Sequence, residues 1–196
     1  MAQIQRLVLA STSRYRRELL ARLALPFECA DPAVDESPLA NETPADTALR
    51  LALQKARSVA PRFPDALIIG ADQVASCDGT RLGKPGAHEL AVRQLESLSG
   101  KTARFDTAIC VLDARGGEAR CRVVPCLVSF RRLTRAQIED YLRREQPYDC
   151  AGSAKSEGLG IALIAHMQTE DPTSLIGLPL IALSELLAKA GLPVLG

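Results

Sequence analysis

The chain has 196 residues, 24 Lys plus Arg against 23 Asp plus Glu, a net charge of +1 and 47% hydrophobic residues, which suits one globular domain, 1–196, able to bury a substantial core. This near-neutral balance excludes the strongly basic face of nucleic-acid-polymer and membrane-surface binders, so any anionic ligand is small and locally held. Aromatics are only 4% of the chain, with no Trp, which leaves the core to Leu, Ile, Val and Ala.

Residues Met1 to Arg6 lead into an apolar run of four, Leu7 to Ala10, too short for a signal-peptide core or a membrane span. Six cysteines form no CxxC pair, and His88 and His166 lie far apart, which disfavours a zinc site. The expectation is a cytoplasmic protein whose cysteines are mostly small buried hydrophobes.

Leu7 to Ala10 reads as a strand, Ser11-Thr12-Ser13 as a tight turn, and the following segment as a helix with Leu19, Leu20 and Leu23 on one stripe. Thr43-Pro44-Ala45-Asp46 opens a second helix through a capping residue, a proline at the first position and an acid in the first turn, with Leu49, Ala52, Leu53 and Ala56 as its apolar face. Ala66 to Gly70 has the character of a buried strand with Asp72 and Gln73 at its carboxyl end, and Asp78-Gly79 signals a hairpin. Ala87 to Leu98 is the third helix. Phe105 to Leu112 and Arg122 to Phe130 are strands joined through Asp113 to Gly117, the second bent or at an edge because of Pro125. Thr134-Arg135-Ala136-Gln137 is a capping box opening a helix that Pro147 closes, and a last helix runs from about Pro179 to Lys189. Strands and helices mix without strict alternation, which predicts an α/β or α+β fold with a mixed sheet flanked by helices.

Three constellations carry chemistry. Ser11 to Arg17 stands where a strand gives way to a helix: unpaired N–H groups, small hydroxyls and Arg14, Arg16 and Arg17 suit a phosphate. Asp35 and Glu36 in a Pro-punctuated loop, with Asp72 beside a buried strand, suit Mg²⁺ held against a polyphosphate, one carboxylate being available to deprotonate water. Lys55, Lys84 in Gly83-Lys84-Pro85, and Lys155 can each reach phosphate oxygens as point charges.

Taken together, Ser11-x-Ser13-x-x-Arg16-Arg17, Val34-Asp35-Glu36, Gly70-Ala71-Asp72-Gln73, Gly83-Lys84-Pro85 and Ala151-Gly152-Ser153-x-Lys155-Ser156-Glu157-Gly158 resemble the Maf family of nucleotide pyrophosphatases over nearly the whole chain. The resemblance implies a mixed twisted α/β sheet in two lobes around a central cleft, as in the Maf and ITPase-like folds. It also implies a divalent cation, Mg²⁺ or Mn²⁺, hydrolysis of a nucleoside triphosphate to monophosphate and pyrophosphate, and a homodimer. Within it Asp72 is the general base, Glu36 and Asp72 hold the metal, and Ser11, Ser13, Arg16, Lys55 and Lys84 bind phosphates. Gln73 and the late Lys155-Ser156-Glu157-Gly158 are similar to the branch acting on 7-methyl-GTP, in which Tyr15, Gln73 and Glu157 set the substrate. Arg14 stands where many relatives have proline, and Gln54 where an acid is common.

The chemistry of the base fits that branch. A guanine edge donates from N1–H and N2–H₂, and the Glu157 carboxylate accepts both. Methylation at N7 makes the purine cationic, which suits the aromatic face of Tyr15. A pyrimidine would set carbonyl oxygen against Glu157. The other expectations are a pyrimidine or broad triphosphate pyrophosphatase acting on dTTP or UTP, and a non-catalytic nucleotide-binding module linked to cell division.

Overall fold

A computed structural model describes residues 5–195; Met1 to Ile4, the start of the segment judged too short for a signal peptide, lie outside the described residues. The chain divides into two compact units, Met1–Gln73 with Thr107–Val124 and Asp171–Gly196, and Val74–Asp106 with Pro125–Glu170. Seven strands form one mixed sheet in the order β2-β1-β3-β5-β6-β7, with β4 paired to β3.

In the first unit β1 (Leu7–Ala10) is the centre of a parallel trio. On one side β2 (Glu28–Ala30) pairs with Ala10 opposite Ala30, and on the other β3 (Leu67–Cys77) pairs with Ala10 opposite Gly70. Side chains alternate across this trio as the pleat requires. Leu7, Leu9, Leu67 and Ile69 pack against Leu19 and Leu20 of α1 (Arg14–Ala21) and Leu183 and Leu187 of α5 (Leu180–Lys189). Val8, Ala10 and Ile68 face Ala56 and Val59 of α2 (Pro44–Val59). Both faces are covered, which explains the unbroken apolar runs.

Thr43 caps α2 as its sequence foretells, its side chain accepting from the Asp46 N–H. The inward stripe differs from the expected Leu49, Ala52, Leu53 and Ala56: it runs through Ala48, Leu51, Ala52, Lys55, Ala56 and Val59, leaving Leu49 and Leu53 half-buried. A lysine on the buried side is tolerated because carboxylates meet it there. A Cβ on Gly70 would lie 2.0 Å from the Ala52 carbonyl oxygen and 2.9 Å from the Ala56 nitrogen, so only glycine permits this approach of helix to strand.

In the second unit the end of β3 turns back on β4 (Thr80–Leu82) through Asp78 and Gly79, both at positive φ, the backbone of a tight primed hairpin. Helices α3 (His88–Leu98) and α4 (Arg135–Glu145) bury Val92, Leu95 and Leu98, and Ile138, Tyr141 and Leu142. The Thr134 and Gln137 capping box is present in full. Gln146 ends α4 in the left-handed region ahead of Pro147, as the bar on helical backbone before proline favours.

Several expectations need correcting. Strand β3 continues through Asp72 to Cys77, so Asp72 lies inside a strand; what stops near it is the neighbouring ladder to β1, whose last pair is Ala10 with Gly70. Strands β5 (Thr102–Asp113) and β6 (Ala119–Phe130) each begin three residues early. Pro125 sits in the interior of β6, one residue beyond the β6–β7 pairing that opens at Cys126 opposite Thr169, where its missing N–H costs no bond to β7. Strands β2 and β7 (Ile164–Thr169) carry no clear alternation and were not anticipated. Three cysteines are buried, Cys77, Cys110 and Cys126, whereas Cys29 and Cys121 are exposed and Cys150 is intermediate. No helix among the described residues is long and apolar enough to cross a membrane.

Candidate active site

The carboxyl ends of β1 and β2 and the N-terminus of α1 form a concavity of about 240 Å³ lined by Ser11, Thr12, Ser13, Arg14, Arg17, Cys29, Ala30 and Asp31. The chain runs from β1 to β2 on one side and later to β3 on the other, so the concavity borders the point where strand order reverses, the usual ligand position of a parallel α/β sheet. Ser13 caps α1 by accepting from the Arg16 N–H (3.4 Å), and Ser11 Oγ accepts from the Ser13 N–H (3.1 Å). The turn is thus held by the hydroxyls the sequence assigned to phosphate, with Ser11 buried and Ser13 half-buried. Thr12 and Arg17 also line the concavity. Arg16 turns elsewhere, its Nε donating to the Gly177 carbonyl (2.9 Å).

Beside the same strand ends lies an ionic cluster. Lys55 Nζ is 2.6 Å from Asp72 Oδ1 and 2.6 Å from Glu36 Oε1. The Lys55 and Asp72 side chains are 5% and 8% exposed, and that of Glu36 is 61% exposed, so the lysine closes the floor and Glu36 meets solvent. Burial pushes the Asp72 carboxyl above the ordinary range, Lys55 and Arg16 pull it down, and Glu36 pushes it up again. Burial lowers Arg16, against the fields of Asp72 and Glu36; a guanidinium so placed stays charged. Two cations and two anions balance, which is how a charged group persists here. Asp35, weighed with Glu36 from the sequence, stays outside the cluster and accepts from the Ser37 N–H (2.9 Å). The loop is braced by Arg50, which donates to the Ser37 carbonyl and clasps Glu42.

Gln73 points its amide nitrogen at Thr107 Oγ1 (2.9 Å) and at the carbonyls of Ser174 (3.0 Å) and Leu175 (3.1 Å). Arg16 and Gln73 therefore hold two points of one loop, residues 171–179. Asp171, 1% exposed, anchors that loop. Its Oδ2 accepts from the Ile181 and Ala182 N–H groups at the start of α5, and its Oδ1 from the Thr173 hydroxyl and N–H. Asp171 and Thr107 were missed by the sequence reading; the signal available for Asp171 was an acid and a threonine preceding an apolar helix. Tyr15 is half-buried, with the Arg14 guanidinium 4.6 Å above its ring and donating to its hydroxyl (2.7 Å). One face of that ring already carries a cation.

The first unit thus holds Ser11, Ser13, Tyr15, Arg16, Glu36, Lys55, Asp72 and Gln73; Lys84 and Glu157 belong to the second. Lys84 is exposed in the loop between β4 and α3, where Gly86 N–H donates to the Tyr148 carbonyl (3.0 Å). Glu157 is exposed at the tip of a loop held from below by α4. Glu145 accepts from Lys155 Nζ (2.6 Å) and from the Leu159 N–H (2.7 Å), and the Tyr141 hydroxyl accepts from the Lys155 N–H (3.0 Å). Lys155 is thereby a brace of the loop. Gly160 is a spatial requirement, since a Cβ there would meet the Lys155 carbonyl oxygen at 2.5 Å, whereas one on Gly158 would meet the tip of the Glu145 side chain at 2.7 Å.

No cluster of three His, Cys, Asp or Glu side chains occurs among the described residues. Two carboxylates nevertheless converge on one cationic centre, Lys55 Nζ, and Asp72 Oδ2 has no protein hydrogen bond among the described residues. A pair of carboxylates suits a hard divalent ion that keeps several waters and takes its remaining oxygens from phosphate.

Comparison with known proteins agrees with the motifs. Residues 6–190 match the family described as Maf-like protein. The chain is 59% identical to the 7-methyl-GTP pyrophosphatase of Methylobacillus flagellatus, over 96% of this chain and 98% of that one. It is 55% identical to the 7-methyl-GTP pyrophosphatase of Cupriavidus pinatubonensis, over 97% and 96%. Among solved structures, the Ham1 protein of Staphylococcus aureus superposes with a TM-score of 0.46 at 14% identity, over 64% of this chain and 72% of that one. Matched over nearly its whole length, with the serine turn, the Asp72 strand and the Glu157 loop all present, the chain belongs to the Maf-like protein family.

Proposed function

We propose that the protein hydrolyses 7-methyl-GTP to 7-methyl-GMP and pyrophosphate in the cytoplasm, with Mg²⁺ or Mn²⁺ as cofactor. The observation that carries this reading is the buried Asp72 carboxylate, held by Lys55 beside the strand-end concavity that Ser11 and Ser13 shape. The names of the relatives at more than half identity support the substrate.

In this reading the triphosphate is received by the N–H groups and hydroxyls of the Ser11 to Arg17 turn, with Lys84 a further phosphate contact. Glu36 and Asp72 hold the divalent ion, which when bound neutralises charge on the phosphate oxygens. Asp72 takes the proton from the water that attacks the α-phosphorus, and pyrophosphate departs without a covalent intermediate. A carboxyl raised by burial is a better proton acceptor than a solvated one, and Lys55 favours its ionised form. Arg16 supplies positive charge near Asp72 while bracing the Gly177 loop. Glu157 accepts from the guanine edge and Tyr15 offers its remaining face to the cationic purine. Gln73 sets the substrate by fixing the loop at Ser174 and Leu175.

The test is a panel of 7-methyl-GTP, GTP, dTTP and UTP, assayed with Mg²⁺ or Mn²⁺ and with chelator. Fastest pyrophosphate release from 7-methyl-GTP, abolished by chelator, is expected. Preference for dTTP or UTP overturns the base assignment, and binding without hydrolysis overturns the activity. A homodimer is proposed alongside, to be read from the solution mass.

A further inference from the structure

The β5–β6 hairpin carries two thiols that the proposed reaction does not use. Its register follows from two backbone hydrogen bonds: Asp113 N–H donates to the Glu118 carbonyl (2.9 Å) and Phe130 N–H to the Lys101 carbonyl (2.8 Å). Facing residues of an antiparallel ladder have a constant sum of numbers, and both bonds give the same sum, which sets Cys110 of β5 opposite Cys121 of β6. Bonded pairs fall on odd-numbered residues of β5, so Cys110 and Cys121 form a non-hydrogen-bonded pair. In such a pair the Cα atoms approach to about 4.5 Å with both side chains on one face, inside the span a disulfide bridges.

The neighbouring pair on that face, Leu112 with Ala119, packs with Ala56 and Val59 of α2, and Arg57 of the same helix acts electrostatically on both thiols. Both cysteines are free; Cys110 is fully buried and Cys121 exposed.

We propose that Cys110 and Cys121 are a thiol-modification site, a cross-strand dithiol that closes to a disulfide on reaction with a small-molecule disulfide such as oxidised glutathione. Cys121 is the attacking thiol: it reaches solvent, and the Cys110 S–H and Arg57 favour its thiolate, while the hydrogen bond to Cys121 and burial favour the protonated form of Cys110. The Cys121 thiolate attacks one sulfur of the small disulfide; that S–S bond breaks, one thiolate leaves, and a mixed disulfide stands on Cys121. Cys110 then gives its proton to the departed thiolate and attacks Cys121 Sγ, the mixed bond breaks and the second small thiol is released. The protein loses two electrons and two protons, and the small disulfide, taking them up, becomes two thiols.

The full chain is incubated with oxidised glutathione and followed by intact mass and by mapping of disulfide-linked peptides. The expected result is a mass lower by two hydrogens and a linked peptide pair carrying Cys110 and Cys121, both reversed by dithiothreitol. Cys110→Ala should stop at a stable glutathione adduct on Cys121, and Cys121→Ser should leave Cys110 unmodified. A persistent adduct on Cys121 of the unmutated protein, a bond to Cys29 or Cys150, or modification of Cys29 with both hairpin thiols unreacted would each overturn the proposal. Mapping of the unmutated protein decides the matter even where a variant at buried Cys110 fails to fold.

Discussion

Burial and charge pull Asp72 in opposite directions: desolvation raises its carboxyl, and Lys55, by field and by hydrogen bond, brings it down. Removing the ammonium leaves the raising causes opposed only by the smaller effect of Arg16. Lys55→Met is therefore predicted to move the acid limb of the pH–rate profile upward and to lower turnover near neutrality, provided thermal melting shows a folded protein. An acid limb at its original pH would separate Lys55 from the carboxylate's ionisation. Sequence showed a lysine on a helix with the right neighbours for phosphate, but its actual partners, Glu36 and Asp72, lie 19 and 17 residues away along the chain, and no local pattern encodes such a pairing. For Asp72 itself the apolar run before it was enough, since a charge there must be paired or face a site. The partners of Gln73 were illegible for the same reason as those of Lys55: they are the Thr107 hydroxyl and two backbone carbonyls, 34, 101 and 102 residues away.

The approach of α2 to β3 depends on one missing methyl group. A Cβ at Gly70 would collide with backbone, the Ala52 carbonyl oxygen and the Ala56 nitrogen, and backbone cannot swing aside as a side-chain tip can. Gly70→Ala is predicted to destabilise the fold by about 2–3 kcal/mol, in the range of overpacked cores. It should also impair turnover beyond the loss of folded protein, because α2 carries Lys55. Urea denaturation with kcat measured on the folded fraction checks both; unchanged stability would mean that the helix shifts freely. At this scale the sequence was most legible where capping chemistry is local. Thr43 with Pro44, and Thr134 with Gln137, marked their helices correctly because the signal and the structure it makes lie within one turn. Strands β2 and β7 were missed because three to six residues with irregular burial carry no period. The end of β3 was misplaced because its continuous buried run is interrupted by the half-buried Gln73 and Val74.

Across the molecule, acid stability should be governed in part by Glu42, whose carboxyl is held at about 2, chiefly by its bidentate hydrogen bonds from Arg50. Its folded value is depressed, so the stabilisation is fully present above the unfolded value of 4.5 and is lost as pH falls toward about 2. Denaturant midpoints taken across that window should fall more steeply for the natural protein than for Glu42→Gln; parallel curves would exclude the pair. Five short motifs spread from Ser11 to Gly158 were together enough to indicate the family, because their order and spacing constrain one another more than any single motif does. The division into two interleaved units was not legible at residue level, since three of its four boundaries fall inside β3, β5 and β6, where no linker composition marks them. The most direct test of the whole account is Asp72→Asn, nearly isosteric and unable to take a proton, with 7-methyl-GTP binding measured by calorimetry and pyrophosphate release measured separately. A folded protein that binds the nucleotide and releases no pyrophosphate above background is expected; release at near the unmutated rate would contradict the role of Asp72 as the base.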